Sequence, residues 1–284
     1  MTQYPWEVVL DYTCQLGEGP VWDAQNGRIL WLDILPGDIH SFDPVSREHR
    51  VFNAGQMVGA IALQPSGTLR AALQHGFYDI SLENETLTPL ADPEAHLPGN
   101  RFNDGKLDPA GRFWAGTMSL DDTPGAGALY RLDHDGSVTP KIQNVSCSNG
   151  LAWSLDARTM YFIDSPTRQV VAYDYDKATG DISNPRVAIQ FDEADGLPDG
   201  MTIDRAGMLW IALWDGWSVV RCNPHTGERL ARIPLPAARI TSCTFGGSQL
   251  QDLYITSAKT GISGGDLQQQ PLAGSLFVVK ALEI

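Results

Sequence analysis

Four oxygen-bearing side chains occupy equivalent places in four copies of one sequence template. They are Glu18, Asn103, Asn149 and Asp199, which lie in the strings GEGPVW, NDGKLD, NGLAWS and DGMTID. Two carboxylates and two amides that converge on one point repel one another or stay unsatisfied unless a cation lies among them. Oxygen donors without His or Cys favour Ca²⁺, Mg²⁺ or Mn²⁺, and carboxylates also bind Zn²⁺ and Fe²⁺. The pattern indicates a divalent metal site, provided that the fold brings these residues together.

The template that carries these residues repeats along the whole chain. Each of six copies reads as an apolar strand, a short turn and a second apolar strand, with spacings of roughly 39, 44, 47, 49 and 44 residues. Further short strands and Gly-, Asp- or Asn-containing turns follow most copies. The sequence therefore predicts an all-β, six-bladed β-propeller that forms a single domain over residues 1–284. Two adjacent β-sandwiches are the alternative, but one continuous period and the lack of a linker argue against them.

The chain ends and the repeat geometry make two further predictions. The strings WEVVL and GSLFVVKAL both resemble strands, and we expect them to pair in one blade and close the ring. The segment GGDLQQQPLAG resembles a loop. One position just ahead of each inner strand should point at the mouth of a central channel, and it holds Glu18, Val58, Asn103, Asn149, Asp199 and Thr241. Each polar residue taken alone is an ordinary turn residue, and only their common register favours a site.

Composition narrows the classes of partner and compartment. The chain has 284 residues, a formal net charge of -14 and no basic run, so a nucleic-acid partner is not expected. No stretch of about 20 apolar residues is present, so no membrane span is expected. The N-terminus lacks the pattern of a signal peptide, and the four cysteines form no C-x-x-C pair. These features predict a cytoplasmic protein with reduced thiols.

Four motifs in order resemble one known family. They are LGEGPVW at 16–22, RFNDGKLDPAGRFWAGTM at 101–118, SNGLAWS at 148–154 and PDGMTIDRAGMLW at 198–210. Together they resemble the regucalcin/gluconolactonase family of senescence-marker-protein-like sugar lactonases, over nearly the whole chain. The resemblance implies a six-bladed propeller with one divalent cation bound by Glu18, Asn149 and Asp199. It further implies that Asp199 acts as the catalytic base and that Arg101 and Asn103 contact the substrate.

The activity implied by the resemblance is the opening of a sugar lactone to its aldonic acid. A divalent metal ion would polarise the lactone carbonyl and activate water. The candidate ions are Ca, Zn, Mn, Mg and Fe(II). Two alternatives stay open: an organophosphate or arylester hydrolase on a similar propeller, and a calcium-binding regulatory protein without turnover. The roles of Lys106, His75, Asp121 and Trp214 are not assigned, since each residue type also has an ordinary structural use.

Overall fold

The computed structural model describes residues 4–282, which form six four-stranded antiparallel sheets. The chain begins with β1 (Trp6–Val8). Blade 1 contains β2 (Gly17–Asp23), β3 (Arg28–Asp33), β4 (Asp38–Phe42) and β5 (His49–Asn53). Blade 2 contains β6 (Val58–Leu63), β7 (Leu69–Leu73), β8 (Gly76–Ser81) and β9 (Thr86–Ala91). Blade 3 contains β10 (Asn100–Leu107), β11 (Phe113–Ser119), β12 (Gly127–Leu132) and β13 (Val138–Val145).

The second half of the chain repeats this plan. Blade 4 contains β14 (Ser148–Trp153), β15 (Thr159–Asp164), β16 (Gln169–Asp176) and β17 (Asp181–Gln190). Blade 5 contains β18 (Leu197–Ile203), β19 (Leu209–Trp214), β20 (Ser218–Cys222) and β21 (Arg229–Pro234). Blade 6 contains β22 (Arg239–Gly246), β23 (Asp252–Ala258), β24 (Phe277–Val279) and β1. The six four-stranded sheets confirm the predicted six-bladed propeller. No described helix is long and apolar enough to cross a membrane.

The ring closes through the two ends of the chain. Strand β1 pairs antiparallel with β24, in the register Trp6↔Val279, Glu7↔Val278 and Val8↔Phe277. This confirms the predicted pairing of the terminal strands. The first strands of the blades (β2, β6, β10, β14, β18 and β22) are the inner ones, and each contacts the inner strands of both neighbouring blades. The prediction of a single domain over 1–284 extends to 1–3 and 283–284, which lie outside the described residues.

The apolar core lies between the blades. Six clusters of buried side chains each join two adjacent blades, so every blade packs on both of its neighbours. One cluster, for example, joins Trp210 and Val219 of blade 5 to Leu253 and Phe277 of blade 6. Burial of apolar area at these interfaces is the main term that holds the ring together.

A repeated aspartate explains the template shared by blades 3 and 5. Asp204 Oδ1 accepts hydrogen bonds at 2.9 Å from the backbone N–H groups of Ala206 and Met208, which fixes the turn between the first two strands. Asp204 Oδ2 accepts from Trp210 Nε1 at 3.0 Å and from Arg221 Nε at 2.7 Å. In blade 3, Asp108 makes the corresponding bonds to its own turn and to Trp114. The spacing Asp-x-x-Gly-x-x-Trp therefore encodes a hairpin whose turn is tied to its second strand.

The inner strands differ from the prediction in one respect. The six channel-facing positions lie inside these strands, not ahead of them, and each strand has an irregularity of register at that point. An example is β10, whose pairing with β11 shifts between Phe102 and Asp104. A bulge releases one residue from the ladder and redirects its side chain. The sequence pattern identifies the residue whose side chain is redirected, but it does not reveal that the strand continues on both sides of that residue.

Glycines next to two of these positions allow the blades to approach each other. A side chain on Gly150 would lie 2.7 Å from the Asp199 carbonyl oxygen of the next blade. A side chain on Gly200 would lie 2.8 Å from the carbonyl oxygen of Thr241. Both distances are too short for a carbon atom, so glycine is required for close contact between inner strands.

The segment near the C-terminus is more regular than predicted. Residues Gly264–Gln269, which we expected to be a loop, form the short helix α1. Ser263 caps its first turn by accepting a hydrogen bond from the Asp266 backbone N–H. The two glycines at its start conceal this helix in the sequence, because glycine is a poor helix former.

Candidate metal centre at one end of the inner strands

All five predicted site residues line one cavity of about 470 Å³. They are Glu18, Arg101, Asn103, Asn149 and Asp199, which lie on the inner strands of blades 1, 3, 4 and 5. Their relative exposures of 4–7 % are low for charged and amide side chains. The fold thus brings together groups that are far apart in the chain, from Glu18 near its start to Asp199.

Two oxygen atoms of this group are buried and have no hydrogen-bond partner among residues 4–282. They are Asn149 Oδ1 and Asp199 Oδ1. The other end of the Asn149 amide is fixed, because Nδ2 donates to Ser165 Oγ at 2.9 Å. A buried oxygen without a partner is costly unless a cation or another donor occupies the site.

Burial and mutual repulsion favour the protonated forms of the carboxyl groups in the site. Burial and the charge of Asp104 raise the pKa of Glu18 to about 8. Burial and the neighbouring Glu18 and Asp104 carboxylates raise the pKa of Asp199 well above its usual value. A divalent cation among them would favour the ionised forms and relieve this repulsion.

The donor set fits a divalent cation that binds oxygen. Within residues 4–282, no cluster of three or more His, Cys, Asp or Glu side chains is arranged to hold a metal ion. The candidate ligand set instead combines two carboxylates, of Glu18 and Asp199, with the amide oxygen of Asn149. Three protein ligands leave positions for water and substrate, which is typical of catalytic metal sites.

Arg101 is the buried cation of the cavity. Its Nη1 donates to Asn103 Oδ1 at 2.8 Å and to the Phe102 carbonyl oxygen at 3.0 Å. Asn103 Nδ2 in turn donates to the Ser148 carbonyl oxygen at 2.8 Å. Asn103 is therefore bonded at both ends of its amide, and it braces Arg101. The remaining guanidinium donors of Arg101 have no protein partner among the described hydrogen bonds.

Several lining residues were not among the predicted site residues. Ser165 and Cys147 lie beside Asn149, and Cys147 Sγ is 3.6 Å from Asn149 Nδ2. Asp122, in an exposed loop after β11, also lines the cavity, whereas its neighbour Asp121 does not. Ser165 and Asp122 both come after the second strand of their blade. The repeat template has no position there that points to a functional residue.

Apolar side chains also line the cavity. Trp214 lines the cavity with Leu16, Leu197 and Met118. The Arg239 guanidinium lies over the Trp214 ring, 4.6 Å from its centroid. Trp214, whose role the sequence left open, is therefore part of the cavity wall.

The other two unassigned residues lie elsewhere. Lys106 is half-buried in a second cavity of about 260 Å³, which Asp104 also lines, and its Nζ donates to the Met201 carbonyl oxygen at 2.7 Å. Burial lowers the pKa of Lys106. His75 is exposed in a turn, where its backbone N–H donates to Gln56 Oε1. Neither residue lines the candidate metal centre.

Comparisons with known proteins agree with the propeller fold and identify a family. The family model described as "SMP-30/Gluconolactonase/LRE-like region" matches residues 16–259. The chain is 43 % identical to "Putative sugar lactone lactonase YvrE" of Bacillus subtilis over 94 % of this chain and 91 % of that protein. It is 41 % identical to regucalcin of Danio rerio over 100 % and 97 % of the two chains. A solved structure, described as a calcium-binding protein, regucalcin, from Agrobacterium tumefaciens, superposes with a TM-score of 0.94 at 29 % identity, covering 98 % of this chain and 94 % of that one.

Proposed function

This chain belongs to the SMP-30/gluconolactonase/LRE-like family, and we propose that it is a divalent-metal-dependent hydrolase that opens sugar lactones to aldonic acids. The observation that carries the proposal is the pair of unpartnered buried oxygens, on Asn149 and Asp199, in one cavity with Glu18 and Arg101. The name of the Bacillus relative supports a sugar lactone as the substrate class.

Glu18, Asn149 and Asp199 would hold the metal ion. When bound, such an ion supplies Lewis acidity toward a carbonyl oxygen and lowers the pKa of water. The Agrobacterium protein is described as calcium-binding, so Ca²⁺ is the first ion to test, followed by Zn²⁺, Mn²⁺, Mg²⁺ and Fe²⁺.

Asp199 is the proposed general base. In the reaction, a water oxygen forms a bond to the lactone carbonyl carbon, and a proton from that water passes to Asp199. The bond between this carbon and the ring oxygen then breaks, and the ring oxygen takes up the proton from Asp199 to become a hydroxyl group, which returns Asp199 to its ionised form. Asp199 Oδ1 is available for this task, because no protein group donates to it.

Arg101 and the mixed lining of the cavity account for substrate binding. The free donors of Arg101 can bind sugar hydroxyls or the carbonyl oxygen as it gains charge. Asn103 holds the guanidinium in place through its Oδ1. A sugar lactone has both hydroxyl groups and C–H faces, which suits a cavity lined by polar residues together with Trp214 and other apolar side chains.

The two alternatives are less well supported. A calcium-binding protein without turnover does not require a buried, braced Arg101 beside the metal ligands. None of the reported relatives is named as a phosphotriesterase or an arylesterase. The proposed partner is a small-molecule lactone, and a cytoplasmic location without a nucleic-acid or membrane partner stays a prediction from the sequence.

The test is an add-back assay on metal-stripped protein. Purified protein is freed of metal and assayed with a pH indicator on glucono-, galactono-, xylono- and arabinono-lactones, with each divalent ion restored in turn. We expect turnover above spontaneous opening only with a restored ion. Lactone opening that is equally fast without metal, or phosphotriester hydrolysis that exceeds it, would contradict the proposal.

A further inference from the structure

Three buried hydrogen bonds cross from one blade to the next and end on carbonyl groups at equivalent places in the repeat. Asn103 Nδ2 of blade 3 donates to the Ser148 carbonyl oxygen at 2.8 Å. Ser165 Oγ of blade 4 donates to the Pro198 carbonyl oxygen at 2.6 Å. Thr241 Oγ1 of blade 6 donates to the Gly17 carbonyl oxygen at 2.6 Å.

The three acceptors share one property. Ser148, Pro198 and Gly17 each directly precede a candidate metal ligand, which is Asn149, Asp199 or Glu18 respectively. Each bond therefore fixes the peptide group from which a ligand side chain projects. Each donor belongs to the blade before that ligand around the ring.

The donors are fixed on their own side as well. Thr241 Oγ1 lies 2.8 Å from Thr256 Oγ1 of the same blade. Ser165 Oγ accepts from Asn149 Nδ2 at 2.9 Å while it donates to Pro198. A single hydroxyl group thus sets the orientation of the Asn149 amide and the place of the strand that carries Asp199. Thr241 and Ser165 are 0 % and 6 % exposed, so these bonds are largely shielded from solvent.

We infer that Asn103, Ser165 and Thr241 are positioning residues which set the metal affinity of the site by holding each ligand from the neighbouring blade. The inference rests on the proposed metal site. It assigns a role to Thr241, which occupies a channel-facing position without a ligand oxygen, and to Ser165, which lies outside the repeat template. Groups that orient metal ligands typically change metal affinity by about 10–100-fold when they are removed.

A plain structural role predicts a different result. Loss of a buried hydroxyl group at a blade interface would lower the stability of the metal-free protein but leave the metal dissociation constant unchanged. Metal affinity measured on protein without substrate separates the two roles, and it does not depend on catalysis.

The experiment is calorimetric titration of metal-stripped protein with Ca²⁺, and with Zn²⁺ and Mn²⁺ in parallel. The variants are Thr241→Val, which keeps the shape and removes the hydroxyl group, and Ser165→Ala. The conservative variant Thr241→Ser keeps the donor. The control is Ser218→Ala in β20. Ser218 Oγ is also buried and donates to a carbonyl oxygen, that of Gly216, at 2.8 Å. Gly216 does not precede a candidate metal ligand, so loss of this bond should leave metal affinity unchanged.

We expect Thr241→Val and Ser165→Ala to weaken binding of the ion by about tenfold or more, and Thr241→Ser and Ser218→Ala to keep nearly the affinity of the unaltered protein. Unchanged affinity in Thr241→Val and Ser165→Ala, with a lower melting temperature, would overturn the inference. If Thr241→Val does not fold, the metal affinity of Ser165→Ala alone tests the inference, since Ser165 lies in another blade. Failure of the unaltered protein to bind any of the ions would instead reject the proposed metal site itself.

Discussion

At the scale of single residues, Asp199 combines two properties that oppose each other in a folded protein. Its side chain is 5 % exposed, yet Oδ1 has no hydrogen-bond partner in the part of the chain that the structure describes. Buried carboxylates are ordinarily paired with donors. The same arrangement is useful for a group that must bind a cation or accept a proton, because no protein donor has to be displaced.

Asp199→Asn should abolish lactone hydrolysis while the protein stays folded. The amide has nearly the same shape but does not accept a proton, so we expect kcat to fall by about 10²-fold or more. The measurement is kcat and KM with the activating ion in excess, beside Asp121→Asn, which changes an exposed loop carboxylate. Retention of more than about a tenth of kcat/KM, a loss below about 1.4 kcal/mol, would remove Asp199 from the central role.

The metal-free protein should become less stable as the pH rises from about 4.5 to about 8. Burial and Asp104 raise the pKa of Glu18 from 4.5 to about 8, so between these values the folded protein keeps a proton that the unfolded chain has released. The contribution of this group is fully present below its unfolded pKa and is lost as the pH passes the folded one. Asp199, whose pKa is also raised by burial, acts in the same direction.

Thermal unfolding of metal-stripped protein across this range measures the effect. One such group contributes a slope of up to about 1.4 kcal/mol per pH unit. Glu18→Gln should flatten the dependence, and saturating metal should also reduce it, since a bound cation favours the ionised carboxylates. Stability that rises with pH in the metal-free protein would contradict this electrostatic account.

At the scale of elements, each blade depends on the hairpin between its first two strands. The Asp204 carboxylate is buried, and it ties two turn N–H groups to Trp210 Nε1 and the Arg221 guanidinium. Asp204→Ala should lower the free energy of unfolding by about 3 kcal/mol, because it leaves a partly buried cation and several buried donors unpaired. Chemical denaturation measures the loss. Asp156→Asn, in the exposed turn of blade 4, is the control and should change it by less than about 0.5 kcal/mol.

The elements also show what the sequence reveals and what it conceals. The hairpins were predictable because the Asp, Gly and Trp spacing recurs in register. The position of Asp199 inside β18 was not, since a bulge leaves no residue type of its own in the sequence. Ser165 was not predictable either, because it reaches Pro198 only after two blades have packed together.

At the scale of the whole molecule, the ring arrangement converts a repeat of about 44 residues into a site. Each predicted ligand comes from a different blade, so no blade alone contains the site. A preference for Ca²⁺, Zn²⁺ or another ion at the proposed site would not be encoded in any one motif, because it would depend on the spacing between blades that only the closed ring sets.

Removal of residues 1–10 should destabilise the entire ring. The deletion takes away β1 and exposes the edge of β24 in blade 6, and exposed edges promote aggregation. We expect a lower melting temperature and soluble aggregates, measured by calorimetry and by size-exclusion chromatography with light scattering. A synthetic peptide of residues 1–12 added in trans should restore part of the stability, whereas an unchanged melting temperature would show that β1 is dispensable.

The pairing of Trp6 with Val279 also has a use in protein engineering. The first and last strands lie side by side, so a short linker could join them head to tail. New termini could then be opened at an exposed hairpin, such as the one around Asp135 between β12 and β13. A circularly permuted chain of this kind would retain every ligand in its original blade, and it would place a fused reporter on a rim of the protein chosen by the designer.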